Sequence, residues 1–354
     1  MKYLRWLLFP FSLLYGIIVI IRNWCYNAGI FKSNSFDLPI IAVGNLDVGG
    51  AGKSPMTEYL IRLFKNNYKL ATLSRGYGRI TKGFLIASPV STATETGDEP
   101  AQFKSKFPDI TVAVAEKRVE GIEQLQDSHD LIILDDAYQH RAVKPGFSIL
   151  LFDFNRISEP RLLLPAGNMR EPYSGRKRAH VIIISKCPAA LTDQEQTIIK
   201  KRVKPLQHQS VFFTSINYLP LHDMDGVITD TVIDDTTTIF LLTGIANAGP
   251  LLSHLKKQTA HLIHHKYPDH HQFSLKNISK LADDFLACTS QKKIIVTTEK
   301  DAQRLGEQEL LQVVKKLPVL VLPIGIEFLN NQQKQFDNLV TEYVREYRKH
   351  RPVH

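Results

Sequence analysis

A glycine-rich stretch near residue 45 combines the residue types that bind a chain of phosphates. The sequence VGNLDVGGAGKSP follows the apolar run LPIIA. The bare backbone N–H groups of such a loop can surround phosphate oxygens, while a lysine reaches the terminal phosphates and a hydroxyl holds Mg²⁺. The residues that we predict to bind the nucleotide phosphates are Gly49, Gly50, Ala51, Gly52, Lys53 and Ser54.

The surroundings of this loop support the interpretation, although one position departs from the usual pattern. The pattern G-x-x-x-x-G-K-[ST] asks for glycine where Asp47 stands. However, the loop follows a strand-like run, and Pro55 stands where the first turn of a helix tolerates proline. A strand, a glycine-rich loop and a helix in this order indicate a phosphate loop, and a tight turn without a ligand is the alternative.

Two carboxylates follow another apolar run and could hold a metal ion. The sequence LIILDD ends in Asp135 and Asp136. In nucleotide-binding folds, an aspartate delivered by a strand beside a phosphate loop holds Mg²⁺. A strand also often ends in a capping aspartate that binds nothing. Together with the hydroxyl of Ser54, the pair predicts a magnesium site.

One aspartate and one histidine could transfer a proton. Asp98 lies in the sequence TGDEP just before a helix, where an aspartate also serves as an N-cap. His270 belongs to HLIHHKYPDHHQF, whose five histidines match no zinc-ligand spacing and have no cysteine nearby. Because imidazole accepts a proton near neutral pH, we interpret Asp269-His270 as an acid–base element.

Two further charged segments are candidate site residues. Arg170 and Glu171, in the sequence NMREP, are suited to a phosphate and to a metal ion, respectively. The sequence TTEKDA places Glu299, Lys300 and Asp301 directly after an apolar run. Solvent-exposed surface is the alternative interpretation for both segments.

The segments that must position these residues alternate between strands and helices. Apolar runs predict strands at residues 40–43, 70–74, 111–115, 131–134, 148–152 and 181–185. Helix-like stretches lie between them at residues 55–66, 100–106 and 118–126. This alternation predicts an α/β fold with a doubly wound, mostly parallel sheet. Ligands of such sheets bind at the carboxyl ends of the strands, where most candidate residues lie.

A second, smaller α/β unit is predicted after the pattern changes near residue 216. Residues 216–237 are turn-rich and are typical of a linker. Further strand-like runs lie at residues 239–243, 293–297 and 319–323, with helix-like segments at residues 250–258 and 331–349. We therefore expect a core domain at residues 29–215 and a C-terminal domain at residues 238–354.

Residues 1–28 predict a membrane-associating helix. The sequence is almost wholly apolar from Trp6 to Ile21, with basic residues on both sides, and no small-x-small cleavage site follows. The run is long enough to span a bilayer marginally, or it can lie in the interface. A buried core helix is the alternative. Without cleavage, we expect the globular part on the cytoplasmic side.

Charge and cysteine content narrow the class of partner. A net charge of +9 favours an anionic partner such as nucleic acid, a phosphorylated ligand or a membrane surface. We expect no nucleic acid, because the basic residues are dispersed and no aromatic-rich binding motif accompanies them. The three cysteines are far apart, which fits a reducing compartment and argues against a disulfide framework.

The order of the motifs resembles the tetraacyldisaccharide 4′-kinase family of the lipid A pathway. The resemblance runs from about residue 38 to about residue 305 and rests on VGNLDVGGAGKSP, SRGYGR, GDEP, LDDAYQHR, MREP, SKCP, PDHHQF and TEKDA. Two positions depart from the family pattern: Ser54 stands where threonine is frequent, and Ala137-Tyr138 stands where Gly-Phe is common.

The resemblance implies an ATP- and Mg²⁺-dependent lipid kinase. Such an enzyme phosphorylates the 4′-hydroxyl of tetraacyldisaccharide 1-phosphate to give lipid IVA at the cytoplasmic face of the inner membrane. The implied fold is a P-loop NTPase-like core and a smaller C-terminal α/β domain, joined by a two-stranded linker, with ATP in the cleft between them. We expect a monomer.

The resemblance also implies roles for individual residues. The implied catalytic residues are Asp98, His270, Lys53 and Arg170. The implied metal ligands are Ser54, Asp135, Asp136 and Glu171. Glu299, Lys300 and Asp301 are implied nucleotide contacts. In this scheme His270, held by Asp98, takes the proton of the sugar hydroxyl.

A membrane-attached nucleotide switch of the division-site ATPase type is an alternative of a different class. Proteins of that type bind partners and carry a signature lysine directly before the glycine pair of the loop. Val48 stands at that position. The sequence therefore favours the kinase.

Overall fold

The computed structural model describes residues 7–349, which form two sheets flanked by helices. The strands are β1 (Ile40–Asn45), β2 (Leu70–Ser74), β3 (Leu85–Ile86), β4 (Thr111–Val114), β5 (Leu131–Asp135), β6 (Phe147–Asp153), β7 (Val181–Ser185), β8 (Ser210–Tyr218), β9 (Thr238–Thr243), β10 (Leu262–Lys266), β11 (Lys293–Thr298), β12 (Val319–Leu322) and β13 (Ile324–Phe328). The helices are α1 (Phe9–Asn27), α2 (Lys53–Phe64), α3 (Ala93–Thr96), α4 (Asp98–Lys106), α5 (Arg118–Leu125), α6 (Asp193–Val203), α7 (Gly249–Leu255), α8 (Leu275–Ala287), α9 (Glu299–Leu305), α10 (Gln308–Val314) and α11 (Gln333–Lys349). Short 3₁₀ helices lie at Phe154–Arg156, Tyr173–Arg178 and Leu329–Asn331.

The large sheet has nine strands in the order β13-β8-β7-β6-β1-β5-β2-β4-β3. Its seven inner strands are parallel, and β3 and β13 pair antiparallel at the two edges. The inner strands are continuous apolar runs because helices cover both faces of a parallel sheet. Since Val43 of β1 pairs with Asp135 of β5, the loops that follow these two strands lie side by side. This confirms the predicted α/β class.

The small sheet has four parallel strands in the order β10-β9-β11-β12. Its core includes Phe240, Phe285 and Ile295. The chain leaves the large sheet through β8 and returns through β13. These two strands pair antiparallel, with Tyr218 opposite Ile324 and Thr214 opposite Phe328. The connection is therefore two-stranded.

The last two elements lie with the large sheet, although the sequence pattern grouped them with the smaller unit. β13 forms the edge of the nine-stranded sheet. α11 buries Phe336, Val340 and Val344 in the same hydrophobic cluster as β1 and α2. Local periodicity indicates that an amphipathic helix exists at residues 331–349, but it does not say which core the helix covers.

Helix α1 packs one face on the large unit and exposes the other. Residues 1–6, including Trp6, lie outside the described residues. α1 is long and apolar enough to cross a membrane by length and composition. Ser12, Gly16 and Val19 are buried on its protein-facing side. The exposed apolar residues in and next to α1 are Leu7, Leu8, Phe9, Phe11, Leu13, Leu14, Ile17, Ile18, Ile20, Ile21 and Trp24.

Candidate active site

The predicted phosphate loop connects the end of β1 to the start of α2. Gly49 and Gly52 have φ values of 102° and 84°, in the left-handed region that favours glycine. Gly52 is the residue before α2, so the free backbone N–H groups of the first helical turn are directed toward the loop. A helix N-terminus reached through a glycine-rich turn binds anions, because its amides and its dipole both favour negative charge.

A lysine that the sequence analysis did not select completes this loop. Lys186 follows β7, and its ammonium group donates to the Gly50 carbonyl oxygen and pairs with Asp153 at 2.8 Å. The neighbouring Ser185 hydroxyl donates to the Ala51 carbonyl oxygen at 2.7 Å. The sequence did contain a signal for Lys186, because this residue directly follows an apolar strand and belongs to the SKCP segment.

Two of the predicted cationic residues converge on Asp136. Lys53 Nζ lies 3.6 Å from an oxygen of Asp136 and 3.2 Å from Asn45 Oδ1. One guanidinium nitrogen of Arg170 lies 3.0 Å from each Asp136 oxygen. Burial alone would raise the pKa of Asp136, but the charges of Lys53 and Arg170 lower it overall. Asp136 therefore stays ionised and orients both cations.

Asp135 has the properties of a buried ligand for a hard cation. Its side chain is buried at the end of β5 and accepts a hydrogen bond from the Thr57 hydroxyl at 2.9 Å. Burial, followed by the charge of Asp136, raises the pKa of Asp135 to about 6. A divalent cation would favour its ionised form, and Ser54 offers a second oxygen at the start of α2.

Residues 7–349 contain no group of three or more His, Cys, Asp or Glu side chains arranged to hold a metal ion. Mg²⁺ binds few protein ligands and takes the others from phosphates and water, so two protein oxygens fit it. Glu171, predicted as a further metal ligand, is fully buried and has other partners. It pairs with Arg178 at 2.8 Å and accepts a hydrogen bond from Gln139 at 3.0 Å. These contacts orient Glu171 toward Arg178 and Gln139, and its predicted role as a metal ligand stays a prediction.

Asp98 and His270 form a hydrogen-bonded pair. Asp98 begins α4, and its Oδ2 lies 2.8 Å from His270 Nδ1. The hydrogen bond with Asp98 raises the pKa of His270, and this outweighs the effect of burial. Burial would raise the pKa of Asp98, but the hydrogen bonds from His270 and Arg304 hold it well below its usual range. The pair thus combines an ionised carboxylate with an unusually basic imidazole.

Arg304 holds this pair from the other side and was missed by the sequence analysis. It is buried in α9, and its Nε donates to Asp98 Oδ1 at 3.2 Å. Its Nη1 donates to the Gly244 carbonyl oxygen at 2.9 Å and to Asp301 at 3.1 Å. The available signal was its spacing of three residues from Asp301, which puts both side chains on one face of a helix.

The family model described as tetraacyldisaccharide-1-P 4′-kinase matches residues 4–345. The chain belongs to this family. A tetraacyldisaccharide 4′-kinase from Phocaeicola vulgatus is 42% identical over 349 residues, which cover 96% of this chain and 95% of that protein. The one from Flavobacterium psychrophilum is 44% identical over 350 residues, covering 97% and 98%.

The fold also matches a solved structure. A crystal structure of LpxK from Aquifex aeolicus in complex with ATP has a TM-score of 0.74 and 27% sequence identity to this chain. The match covers 96% of this chain and 99% of that one. The family resemblance inferred from the motifs is thereby confirmed, as is the α/β architecture.

In this member of the kinase family, the TEKDA segment joins the small unit to α4. Lys300 pairs with Glu99 at 2.5 Å, and Glu299 pairs with Lys106 and accepts from the Ile324 N–H at 3.2 Å. Asp301 accepts from the Gly244 N–H at 3.1 Å. Their contacts hold the Asp98–His270 pair in place, and their predicted role in nucleotide binding stays a prediction.

A cationic cluster of Arg22, Arg75 and Arg118, with His140 among them, lies beside the kinase site. Its three arginines were not selected from the sequence. Burial, followed by the charges of Arg118 and Arg75, lowers the pKa of His140 to about 4. Burial and the charge of Arg75 lower the pKa of Arg118 to about 10. Within the described chain, the buried Nε atoms of Arg22 and Arg118 have no hydrogen-bond partner. Buried cationic donors without a partner, close to a further cation, favour a bound anion.

Proposed function

We propose that this chain transfers the γ-phosphate of ATP to the 4′-hydroxyl of tetraacyldisaccharide 1-phosphate, giving lipid IVA. The observation that carries the proposal is that three groups lie near one another. Lys53 of the loop of residues 49–54 pairs with Asp136, next to Asp135, and the charges of Asp135 and of Asp98, the partner of His270, both act on the Lys300 ammonium group. The names of the relatives support the same substrate. All these groups come from one chain, which supports a monomeric enzyme.

The residues at the phosphate end of the site act by electrostatic stabilisation of negative charge. The loop amides and the start of α2 bind the phosphates, and Lys53 and Arg170, both oriented by Asp136, offset the charge that spreads over the γ-phosphate oxygens in the transition state. Mg²⁺ held by Ser54 and Asp135 would supply further positive charge to the phosphates.

The acceptor end of the site transfers one proton. His270 Nδ1 faces Asp98, so its Nε2 is the atom that takes the proton of the 4′-hydroxyl. The hydroxyl oxygen forms the bond to the γ-phosphorus while the bond to ADP breaks. Asp98, which remains ionised, stabilises the imidazolium that forms.

The cationic cluster of Arg22, Arg75, Arg118 and His140 suits the 1-phosphate of the acceptor. The arginines of the cluster repel one another, and the negative charge of a bound dianionic phosphate would offset this repulsion. Arg22 belongs to α1, so an acceptor bound there has its acyl chains near the exposed apolar face of this helix.

We further propose that α1 lies in the interface at the cytoplasmic face of the inner membrane. It contacts the globular part from Ser12 to Asn23, a length of about 16 Å at 1.5 Å per residue. Because the globular part is attached along this length, a transmembrane orientation of α1 would place protein surface inside the bilayer. Its opposite, apolar face fits the headgroup–acyl boundary.

The test is incubation of the full chain with labelled ATP, Mg²⁺ and the disaccharide lipid, followed by chromatography. We expect label in a bis-phosphorylated lipid, and at least about tenfold less with Lys53→Met, because this variant loses the charge that faces the phosphates. Label that appears only as inorganic phosphate would instead support the nucleotide switch. Absence of transfer under all conditions would refute the kinase.

A further inference from the structure

We propose that α1 positions the phosphate site as well as contacting the membrane, and that Tyr15 is the positioning residue. The Tyr15 hydroxyl donates to the backbone carbonyl oxygen of Arg170 at 2.7 Å. The side chain of that arginine holds Asp136. One hydrogen bond thus connects the membrane-facing helix to a residue of the phosphate site, and this builds on the function proposed above.

Further contacts hold the segment of residues 162–171 against α1. Ser12 Oγ accepts from the Ala166 N–H at 2.8 Å. Gly16 packs so closely that a Cβ atom there would lie 2.9 Å from Leu163 Cδ1. Two helical turns beyond Tyr15 and Gly16 on the same face, Asn23 donates to Glu171 at 3.4 Å. The helix therefore fixes this segment at several points along its length.

The same segment holds the phosphate loop by its backbone. The Arg170 N–H donates to the Leu46 carbonyl oxygen at 2.7 Å, and the Val48 N–H donates to the Asn168 carbonyl oxygen at 2.8 Å. Asp47 and Met169 form an isolated antiparallel bridge. A shift of α1 would therefore move both the loop backbone and the Arg170 guanidinium relative to Asp136.

A helix that only anchors the protein has no need of these polar contacts. The exposed face of α1 supplies the apolar surface, whereas Ser12, Tyr15 and Asn23 on its other face contact residues 166–171 by hydrogen bonds. Because small misplacements of a charge-stabilising group slow a reaction strongly, the docked position of α1 sets the geometry of Arg170.

The test is Tyr15→Phe, which removes the hydroxyl and keeps the ring. We expect kcat for lipid phosphorylation to fall about three- to tenfold, the effect of losing one hydrogen bond, while KM for ATP and for the lipid changes less than about twofold. The matched control is Tyr26→Phe on the same helix, whose ring contacts Phe31 and the Arg141 guanidinium. The control should keep the wild-type kcat.

A double substitution separates positioning from general stability. In an Arg170→Lys background, Tyr15→Phe should lower kcat by less than about twofold, because the group that it positions is already altered. Equal kcat for Tyr15→Phe and Tyr26→Phe, a fully additive loss in the double variant, or a fall in Tm or in membrane-bound fraction that accounts for the lost activity would each overturn the proposal. A wild-type chain without transferase activity would overturn the proposed function instead, so the two failures are distinguishable.

Discussion

Asp98 and His270 are 172 residues apart in the chain and 2.8 Å apart in the fold. The position of Asp98 just before a predicted helix and the imidazole of His270 next to Asp269 indicated each of them separately, and the family resemblance implied that they pair. Arg22, Arg75, Arg118 and Arg304 were not found, because the local sequence does not show whether an arginine is buried or exposed to solvent. The spacing from Asp301 places Arg304 on one face of a helix without showing what that face contacts.

At this scale, removal of either member of the pair should slow the reaction without abolishing nucleotide binding. His270→Ala or Asp98→Ala should lower kcat at least about tenfold, the usual contribution of a general base being 10²–10⁴-fold. ATP should still bind, because the loop of residues 49–54 is unchanged. Turnover numbers together with an equilibrium nucleotide-binding assay test this, and a near-wild-type kcat in both variants would remove the pair from the mechanism.

The raised pKa of His270 predicts the pH dependence. Only the neutral imidazole accepts a proton, so activity should rise as pH increases through this raised pKa, above the ordinary value of about 6.5. Asp98→Asn removes the main group that stabilises the imidazolium; Asp269 and Glu99 remain as weaker negative charges, and Arg304 as a positive one. The acidic limb of kcat/KM should therefore move to lower pH.

A matched control for the pH profile is Asp109→Asn, which removes an exposed carboxylate from the loop after α4. This variant should leave the acidic limb where it is in the wild type. If the limb in Asp98→Asn coincides with that of the wild type, then His270 is not the group that titrates.

Among the elements, the sequence predicted the buried ones best. Strands such as β2 and β7 have the bounds expected from their apolar runs, because a strand covered on both faces must be apolar throughout. The strands that were missed are β3, β10 and β13, which lie at sheet edges, and the inner strand β8, which is interrupted by polar residues. β3 has two residues and β10 reads LIHHK, so neither forms an apolar run, and their pairing depends on distant segments.

The membrane role of α1 is testable at this same scale. Deleting residues 1–28 should move the protein to the soluble fraction, but the deletion also removes the contacts to residues 163–171. Ile18→Glu is the sharper variant, since Ile18 is on the exposed face. A charged group there disfavours the apolar interface, so the membrane-bound share in a flotation assay should fall severalfold with an unchanged Tm. An unchanged share in both variants would contradict the proposal.

For the whole molecule, the Asp98–His270 pair lies where the two units meet. α3 and α4 contact the small unit through Glu99–Lys300, Lys106–Glu299 and Thr94–Glu307. Because the base and its carboxylate come from different units, their relative position decides whether the pair is assembled. We therefore expect substrate binding to be coupled to the arrangement of the units.

The membership of α11 in the large core predicts a strong effect on global stability. Phe336 is fully buried among residues of the large sheet and α2. Phe336→Ala should lower the free energy of unfolding by about 3–5 kcal/mol, because it leaves a cavity in a packed core. Denaturant titration would measure this, with the exposed Gln335→Ala as the control. A loss below about 1 kcal/mol would place α11 outside the core.

The return of the chain through β13 affects how the protein is made. A ribosome delivers β1 to β8 first, and a domain that emerges early normally folds early. Here the outermost strand of the large sheet and the helix that closes its core are synthesised after the four-stranded unit. This unit, although second in the sequence, can therefore finish folding before the nucleotide-binding half, which stays incomplete until α11 has been translated.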